Sequence, residues 1–420
     1  MSAQAQSSDL TLAAAAQAWR PPWREVSAAS IGNALEFYDL AIYLYFAVTI
    51  GKLFFPATNQ VTSLMLSVGT FAISYIVRPF GAIALGSYAD RFGRKKSLTL
   101  SISIIVLGTA LLVCAPTYAQ IGIASPLIVV LARLMQGFST GGEFGASTAL
   151  MVEYAKAGNR GYYASWQAST QGFATVLAAG FAALLSSLLT PEQLNEWGWR
   201  VAFGFGLLLG PVGLYVRSRI DETPEFQKLA AVKLEASPLR TVLVRDRINL
   251  LIGIGLIAGG TAYNYVHKLY MPTYAMTQLH IPQTSAYLGA FVTGATASVL
   301  APMFGALSDR VGRIRLLSIA MPLICFTSYP LFLMLNTWPT VGTLILAQFL
   351  FGVLFSSCFG PLPALLAEIF PTGTRGTGLA LSYNLSVTAF GSFAPLIATS
   401  TIWASSLFEV WTFMIPSAVS

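Results

Sequence analysis

Gly86-Ser-Tyr-Ala-Asp90-Arg91-Phe-Gly93-Arg94-Lys95-Lys96 returns, with changes, as Gly305-Ala-Leu-Ser-Asp309-Arg310-Val-Gly312-Arg313, half the chain away. A second pair keeps nearly the same offset: Glu153 followed by Arg160, then Glu368 followed by Arg375. Similarity held at one long period across several helices is the signature of a repeated architecture. Two superimposable halves are therefore expected, and the residues between the copies decide what kind of halves they are.

Those residues are oily. The chain has 420 residues, of which 55% are hydrophobic and 10% charged, whereas soluble domains carry roughly 25% charged residues. Lipid must be the solvent. Apolar stretches reach the ~20 residues that cross a ~30 Å hydrocarbon core as helix. The spans are read at about 27–50, 62–88, 97–114, 126–152, 163–188, 198–217, 248–271, 284–307, 316–335, 340–367 and 377–401, with a last one from about 406. The fold class is an all-α membrane protein of twelve transmembrane helices in two pseudo-symmetric six-helix bundles. The stretch from Ser406 to Ser420 contains Glu409 and Pro416, so the last helix is expected to be short or truncated. The expected organisation is a cytoplasmic tail at 1–25, a bundle at 26–217, a cytoplasmic linker at 218–246 and a second bundle at 247–420.

Charge placement gives the topology. Of the 24 lysines and arginines, 19 fall on one side of this arrangement, among them Arg91, Arg94, Lys95, Lys96, Lys156, Arg160, Arg310, Arg313, Arg315, Arg375 and the basic residues of the linker. The opposite loops hold Lys52, with Arg200 at a helix start. The positive-inside rule makes the basic side cytoplasmic, with the N-terminus there. The net charge of +7 thus reflects topology, and a nucleic-acid partner has no support. Cys114, Cys325 and Cys358 sit in or beside apolar spans as small hydrophobes, which implies no disulfide framework. No signal peptide is evident ahead of the first span. Two histidines offer no metal spacing, and the chain lacks a Walker-type glycine loop, so neither an enzyme nor a cofactor is expected.

The repeated turn supplies glycine for close helix approach, aspartate to cap and pair, and arginine or lysine to face the cytoplasm. In two copies, Gly86, Asp90, Arg91, Gly93 and Arg94 with Asp309, Arg310, Gly312 and Arg313 read as latches that hold the halves together, joined by Glu153, Arg160, Glu368 and Arg375. A basic topogenic loop is the plainer alternative for either copy alone.

This repeated turn resembles the signature loop of the major facilitator superfamily, whose fold is two six-helix halves rocking about a central site. Pro363-Ala-Leu-Leu-Ala-Glu368-Ile-Phe-Pro371-Thr-Gly-Thr-Arg375-Gly is similar to the motif closing the tenth helix in many of its porters. Gly32-Asn33-Ala-Leu-Glu36-Phe37-Tyr38-Asp39, Arg78-Pro79-Phe80-Gly81-Ala82, Arg133-Leu-Met-Gln136-Gly137-Phe138-Ser139, Ser165-Trp166-Gln167 and Glu196-Trp197-Gly198-Trp199-Arg200 together resemble the metabolite:proton symporter family. Gly158-Asn159-Arg160-Gly161-Tyr162-Tyr163, the stretch Gln167 to Gln171 and Tyr270-Met271-Pro272-Thr273-Tyr274 look like the citrate-proton subgroup and its tricarballylate-type relatives. His267-Lys268 departs from that subgroup, and Asn384 in Ser382-Tyr383-Asn384 agrees with the wider family. The resemblance implies proton coupling through Arg133.

Ionisable groups inside the membrane cost about 2.5 to 3.5 kcal/mol each on insertion scales and so mark function. At 1.5 Å per residue Glu36 lies ~18 Å and Asp39 ~22 Å beyond Arg24, and Arg78 ~12 Å from Gly86, all near the midplane. Glu36 and Asp39, three residues apart, occupy neighbouring positions on one helix face. Two carboxylates that close in low dielectric do not readily both ionise, which suits a proton carrier, with Asp39 slightly favoured. Permanent neutralisation by Arg78 or Arg133 is the structural alternative. Glu143 shares the fourth helix with Arg133 on a different face, and a structural ion pair to another helix is open for each.

Arg78 is the first choice for the substrate, because guanidinium binds carboxylate bidentately and keeps its charge. Lys268 is the second, with snorkelling to the headgroups as its alternative. Asn33, Gln167, Gln171, Tyr274 and Asn384 can complete a small-molecule pocket or serve interhelical hydrogen bonds. The expectation is a monomeric proton-coupled symporter of the inner membrane importing a small organic anion, citrate or a related tri- or dicarboxylate. Shikimate, an aromatic acid, a betaine-like zwitterion, a drug antiporter and a non-transporting solute receptor are the rivals.

Overall fold

The computed structural model describes residues 23–92, 94–218, 238–371 and 374–404. Every regular element among them is helical, and they supply eleven spans. The expected twelfth lies outside the described residues, as do most of the linker and the tail up to residue 22.

The span limits follow the sequence reading closely, but several spans are built from pieces. The first is Trp23–Tyr45 continued by Ala47–Phe54, and the two axes meet at 66°. The second is Gln60–Ile76 and Arg78–Phe92, the third Arg94–Cys114, and the fourth Ala124–Thr140 and Glu143–Tyr154 with Gly141-Gly142 between. The fifth runs from Arg160–Ala164 into Trp166–Leu188, and the sixth is Trp199–Ser218. The seventh joins Arg247–Asn264 to Met271–Thr277 through a π-helical stretch, Tyr265–Tyr270. The eighth and ninth, Gln283–Val311 and Arg313–Thr337, turn about Gly312, whose φ of 95° favours a residue without Cβ. The tenth is Val341–Phe359 with Leu362–Ile369 beyond Gly360-Pro361, and the eleventh runs from Arg375–Ser386 through Val387–Gly391 to Ala394–Ala404.

The distribution of side chains is inverted relative to a soluble protein. Phe326 and Ile314 stand 74% and 72% exposed on the outside, where lipid covers them. Arg78, Arg133, Gln167 and Asn384 are buried at 1% or less. A bundle whose rim is apolar and whose interior is polar is stable only in a bilayer, and its interior polar groups are the functional candidates.

Two close crossings position that interior. A Cβ at Gly137 would overlap the carbonyl oxygen of Ser74, and one at Gly81 would overlap that of Phe138. The second and fourth spans therefore touch backbone to backbone, which fixes Arg78 and Arg133 on adjoining helices. Between the halves, Gly172 and Gly294 face one another so closely that a Cβ on either would strike the other span's backbone, at 2.6–2.8 Å. Small residues let helices approach where lipid supplies no hydrophobic drive, and here they make the seam between the fifth and eighth spans.

Candidate functional site

Arg78 begins the second half of the second span and is buried. Its Nη2 donates to Glu36 Oε1 of the first span at 2.6 Å. Its Cζ lies 3.9 Å from the centre of the Tyr75 ring. Tyr75 in turn shares a 2.6 Å hydrogen bond with the hydroxyl of Tyr265, on the seventh span and in the other half. Nε and Nη1 of Arg78 have no acceptor. Buried N–H groups are almost always satisfied, and among the described residues this guanidinium finds an acceptor through Nη2 alone.

Asp39 is held differently. Arg133 Nη1 approaches Asp39 Oδ2 at 3.3 Å and donates to Gln136 Oε1 at 2.6 Å. Gln136 Nε2 donates to Thr109 Oγ1 at 3.0 Å, and Thr109 Oγ1 donates back to Asp39 Oδ1 at 3.1 Å. The ring of contacts closes inside the first half, with Arg133 stacked 4.1 Å over Tyr43. Glu36 and Asp39 lie within electrostatic reach of one another. Each carboxylate has its own guanidinium, because the second span reaches the first beside Glu36 and the fourth reaches it beside Asp39. Glu143, buried, heads the second half of the fourth span within electrostatic reach of Glu36.

Lys268 lies within the π-helical stretch of the seventh span and is 2% exposed. Its Nζ sits 4.6 Å from the ring centre of Phe355 on the tenth span and 5.9 Å from that of Phe37 on the first, and it has no hydrogen-bond partner. Snorkelling is thereby overturned: the amine is buried beside Phe355, with Phe37 of the other half farther off, and does not reach the headgroups. His267 beside it turns elsewhere, its Nδ1 3.0 Å from Tyr263 O and its ring stacked on Tyr263.

The polar residues divide. Gln171 leaves Oε1 without a partner, and with Gln167, Phe144 and Tyr383 it lines a narrow void between the halves. Gln167 Nε2 hydrogen-bonds Ser147 and Thr148. Asn33 donates to Gln167 O at 3.0 Å and Thr170 Oγ1 at 2.6 Å, tying the first span to the fifth. Tyr274 is turned to the ninth span, its hydroxyl donating to Asn336 Oδ1 at 2.8 Å. Asn384 Nδ2 donates to Gly141 O at 2.5 Å across the halves. Asn33 and Tyr274 are thus clamps between helices and are not brought to Arg78. Tyr75, Tyr265, Thr109 and Gln136 were missed as site residues; only Gln136, one turn after Arg133, carried a spacing signal.

Ties across the halves gather on the face that carries the charged turns. Asp309 on the eighth span accepts from Gly161 N at 2.8 Å and Tyr162 N at 2.9 Å, at the start of the fifth. Arg313 pairs with Asp309 at 3.0 Å and with Glu368. Glu153 meets Arg375 of the opposite half at 3.6 Å. Arg160 heads the fifth span, Arg310 is exposed, and Gly93 together with the side chains at Gly86, Asp90, Arg91 and Arg94 falls outside the described residues. On the other face a vestibule of about 650 Å³ opens between the halves, lined by Thr49, Lys52, Asn195, Gln278 and His280 at its polar wall and by the buried Tyr45 and Tyr270.

Two helical halves tied together at one face, parted by a vestibule at the other and holding charged side chains in an interior wrapped by lipid-facing apolar residues have the build of a membrane transporter. The chain belongs to the Major Facilitator Superfamily, whose family model matches residues 29–395, and is accordingly a transporter and not an enzyme. It is 34% identical over 372 residues to a citrate-proton symporter of Klebsiella pneumoniae, covering 88% of this chain and 83% of that protein. It is 31% identical over 389 residues to the proline/betaine transporter of Escherichia coli, covering 89% and 77% respectively. The fold matches the xylose transporter XylE from E. coli, in a partially occluded inward open conformation, with a TM-score of 0.77 at 18% identity over 94% and 96% of the two chains.

Proposed function

We propose that this chain is a proton-coupled symporter that carries a small organic anion, citrate or a related tri- or dicarboxylate, inward across the cell inner membrane as a monomer. The charged face is cytoplasmic, with the N-terminus on that side. The two bundles, 26–217 and 247–420, move as bodies about the linker at 218–246.

The observation that supports the anion is the state of the three buried cations, of which Arg133 is bonded to Asp39 and Gln136 and leaves Nε and Nη2 without an acceptor. Arg78 uses one N–H and Lys268 uses none. The citrate-proton relative agrees with this reading, whereas the proline/betaine relative points to a zwitterion. A quaternary ammonium is recognised by open aromatic faces. Here the faces of Tyr75, Phe37 and Phe355 are already taken by Arg78 and Lys268, which would repel it.

In the proposed cycle a proton from outside neutralises a midplane carboxylate, Asp39 foremost with Glu36 beside it, which lowers the cost of seating the anion next to Arg78. Arg133 holds Asp39 in place and Glu143 adds a third acid to the same interior. The halves then rock, the contacts of Asp309 with Gly161 and Tyr162 and of Glu153 with Arg375 part while Arg313 keeps Asp309 and Glu368 together in the second half, and substrate and proton leave inward.

Uptake of labelled citrate into proteoliposomes tests the proposal. An inward acidic gradient should drive accumulation, and unlabelled tricarballylate and succinate should compete where betaine does not. Uptake indifferent to the gradient removes the coupling; competition by betaine alone removes the anion.

A further inference from the structure

Arg78 and Lys268 belong to opposite halves and are linked by two short chains of contacts. Tyr75 carries the Arg78 guanidinium 3.9 Å from its ring centre, and its hydroxyl lies 2.6 Å from that of Tyr265. Tyr265 and Lys268 share the same π-helical stretch, three residues apart. On the other side Glu36, which holds Arg78, is followed directly by Phe37, whose ring neighbours Lys268 Nζ. The tyrosine bridge and the Glu36-Phe37 step thus connect the surroundings of the two cationic heads.

Resting on the organic-anion reading, we propose that Arg78 and Lys268 form a two-headed clamp for a substrate bearing at least two carboxylates, one on each cation, with Glu36 occupying Arg78 while the clamp is empty. Glu36 reaches the guanidinium through one oxygen on Nη2, and the edge carrying Nε and Nη1 is free. A planar carboxylate fits such a fork with two parallel hydrogen bonds. Lys268 receives no anion from the protein, and a buried ammonium is stable only when its charge is answered. A substrate with one carboxylate satisfies one head and leaves the other bare in low dielectric. A dicarboxylate answers both and, because the heads sit in different halves, ties the halves together on binding. The clamp therefore couples the number of carboxylates to closure, which is a basis for specificity that a single arginine lacks.

Tricarballylate, glutarate and butyrate form a series in which one carboxylate is removed at each step. Titrating each into the full chain in lipid nanodiscs, with calorimetric detection at one pH, reads the clamp. The expected result is tricarballylate and glutarate within about tenfold of one another and butyrate at least ~100-fold weaker, as loss of a charge-assisted contact would give. In Lys268→Met, which keeps the contacts with Phe37 and Phe355, glutarate should fall to within about threefold of butyrate while butyrate is unchanged. Glu36→Gln should tighten glutarate several-fold, since the placeholder is gone. Lys268→Arg should keep the wild-type ratio, and serves if the methionine variant does not fold.

A glutarate-to-butyrate ratio that survives in Lys268→Met, or is lost in Lys268→Arg, overturns the clamp. Weaker glutarate binding in Glu36→Gln overturns the placeholder role. If betaine binds and none of the three acids does, the organic-anion reading falls and the clamp with it, a pattern distinct from the others.

Discussion

The carboxylate of Asp309 caps the fifth span in trans: Oδ1 accepts from Gly161 N and Oδ2 from Tyr162 N, at 2.8 and 2.9 Å. Both are first-turn N–H groups without an intrahelical acceptor, and the positive end of the helix dipole adds to the attraction. One side chain thus joins the halves at the charged face. Hydrogen bonds to a charged group contribute about 1.5 to 3 kcal/mol each. Asp309→Asn keeps the shape but gives up the charge, so the closed population should fall roughly tenfold or more. Spin labels at Lys156 and Val311 should report a new, longer distance by pulsed electron resonance, and an unchanged distribution would show that the seam of Gly172 and Gly294 holds this face shut by itself.

Asp39 and Arg133 should uncouple transport without abolishing it. In Asp39→Asn the ring through Gln136 and Thr109 keeps an oxygen acceptor for Arg133 but loses its titratable member. Gradient-driven accumulation should vanish, while exchange of labelled for unlabelled substrate at equal pH should stay within about tenfold of wild type, the scale on which proton-transfer groups act being larger. Loss of exchange and accumulation together would assign Asp39 a structural duty.

The halves were legible in the sequence because duplication, apolar length and charge side each leave a linear trace. The broken spans were less so. Among the described residues five helices are long and apolar enough to cross unaided, or six with the bent first pair. Of the remaining spans three are interrupted, at Gly141-Gly142, at Tyr265–Tyr270 and at Val387–Gly391, while the third and sixth are continuous. Depth counting placed Arg78 and the two acids inside the bundle, but it could not say which acid meets which arginine. That depends on crossings set by Gly81 and Gly137, which leave no mark at the charged positions themselves. For Lys268 the distance counted along a straight helix pointed outward, whereas the direction of the side chain is set by local π-helical winding, which a count of residues does not contain.

Those crossings make a prediction about stability. Gly137→Ala drives a methyl into the Ser74 carbonyl, and neither backbone can yield without shifting a span. Overpacking of this kind costs about 1 to 3 kcal/mol. Gly255→Ala, with open space around its Cβ, should be neutral or slightly stabilising through helix propensity. Thermal unfolding in detergent should therefore separate the two variants, Gly137→Ala melting lower and Gly255→Ala at or above wild type. Equal melting temperatures would mean that the second and fourth spans have slack at their crossing.

Lys268 should be a case in which removing a charge strengthens the empty protein. An ammonium buried between Phe355 and Phe37 keeps a cation–π attraction but has no anion or hydrogen-bond acceptor. Desolvating an unanswered ion costs several kcal/mol even after relaxation, more than the ~2 kcal/mol that a desolvated cation–π contact returns. Methionine preserves length and apolar contact without the charge, so ligand-free Lys268→Met should resist denaturation better than wild type, by about 1 to 4 kcal/mol on the scale found when buried charges give way to hydrophobic side chains. The gain should be confined to the empty state, since a site kept unsatisfied for its ligand trades stability for function. Added tricarballylate should accordingly raise the midpoint of the wild type and leave that of Lys268→Met nearly where it was; a ligand-free variant less stable than wild type would mean that the amine is answered within the fold.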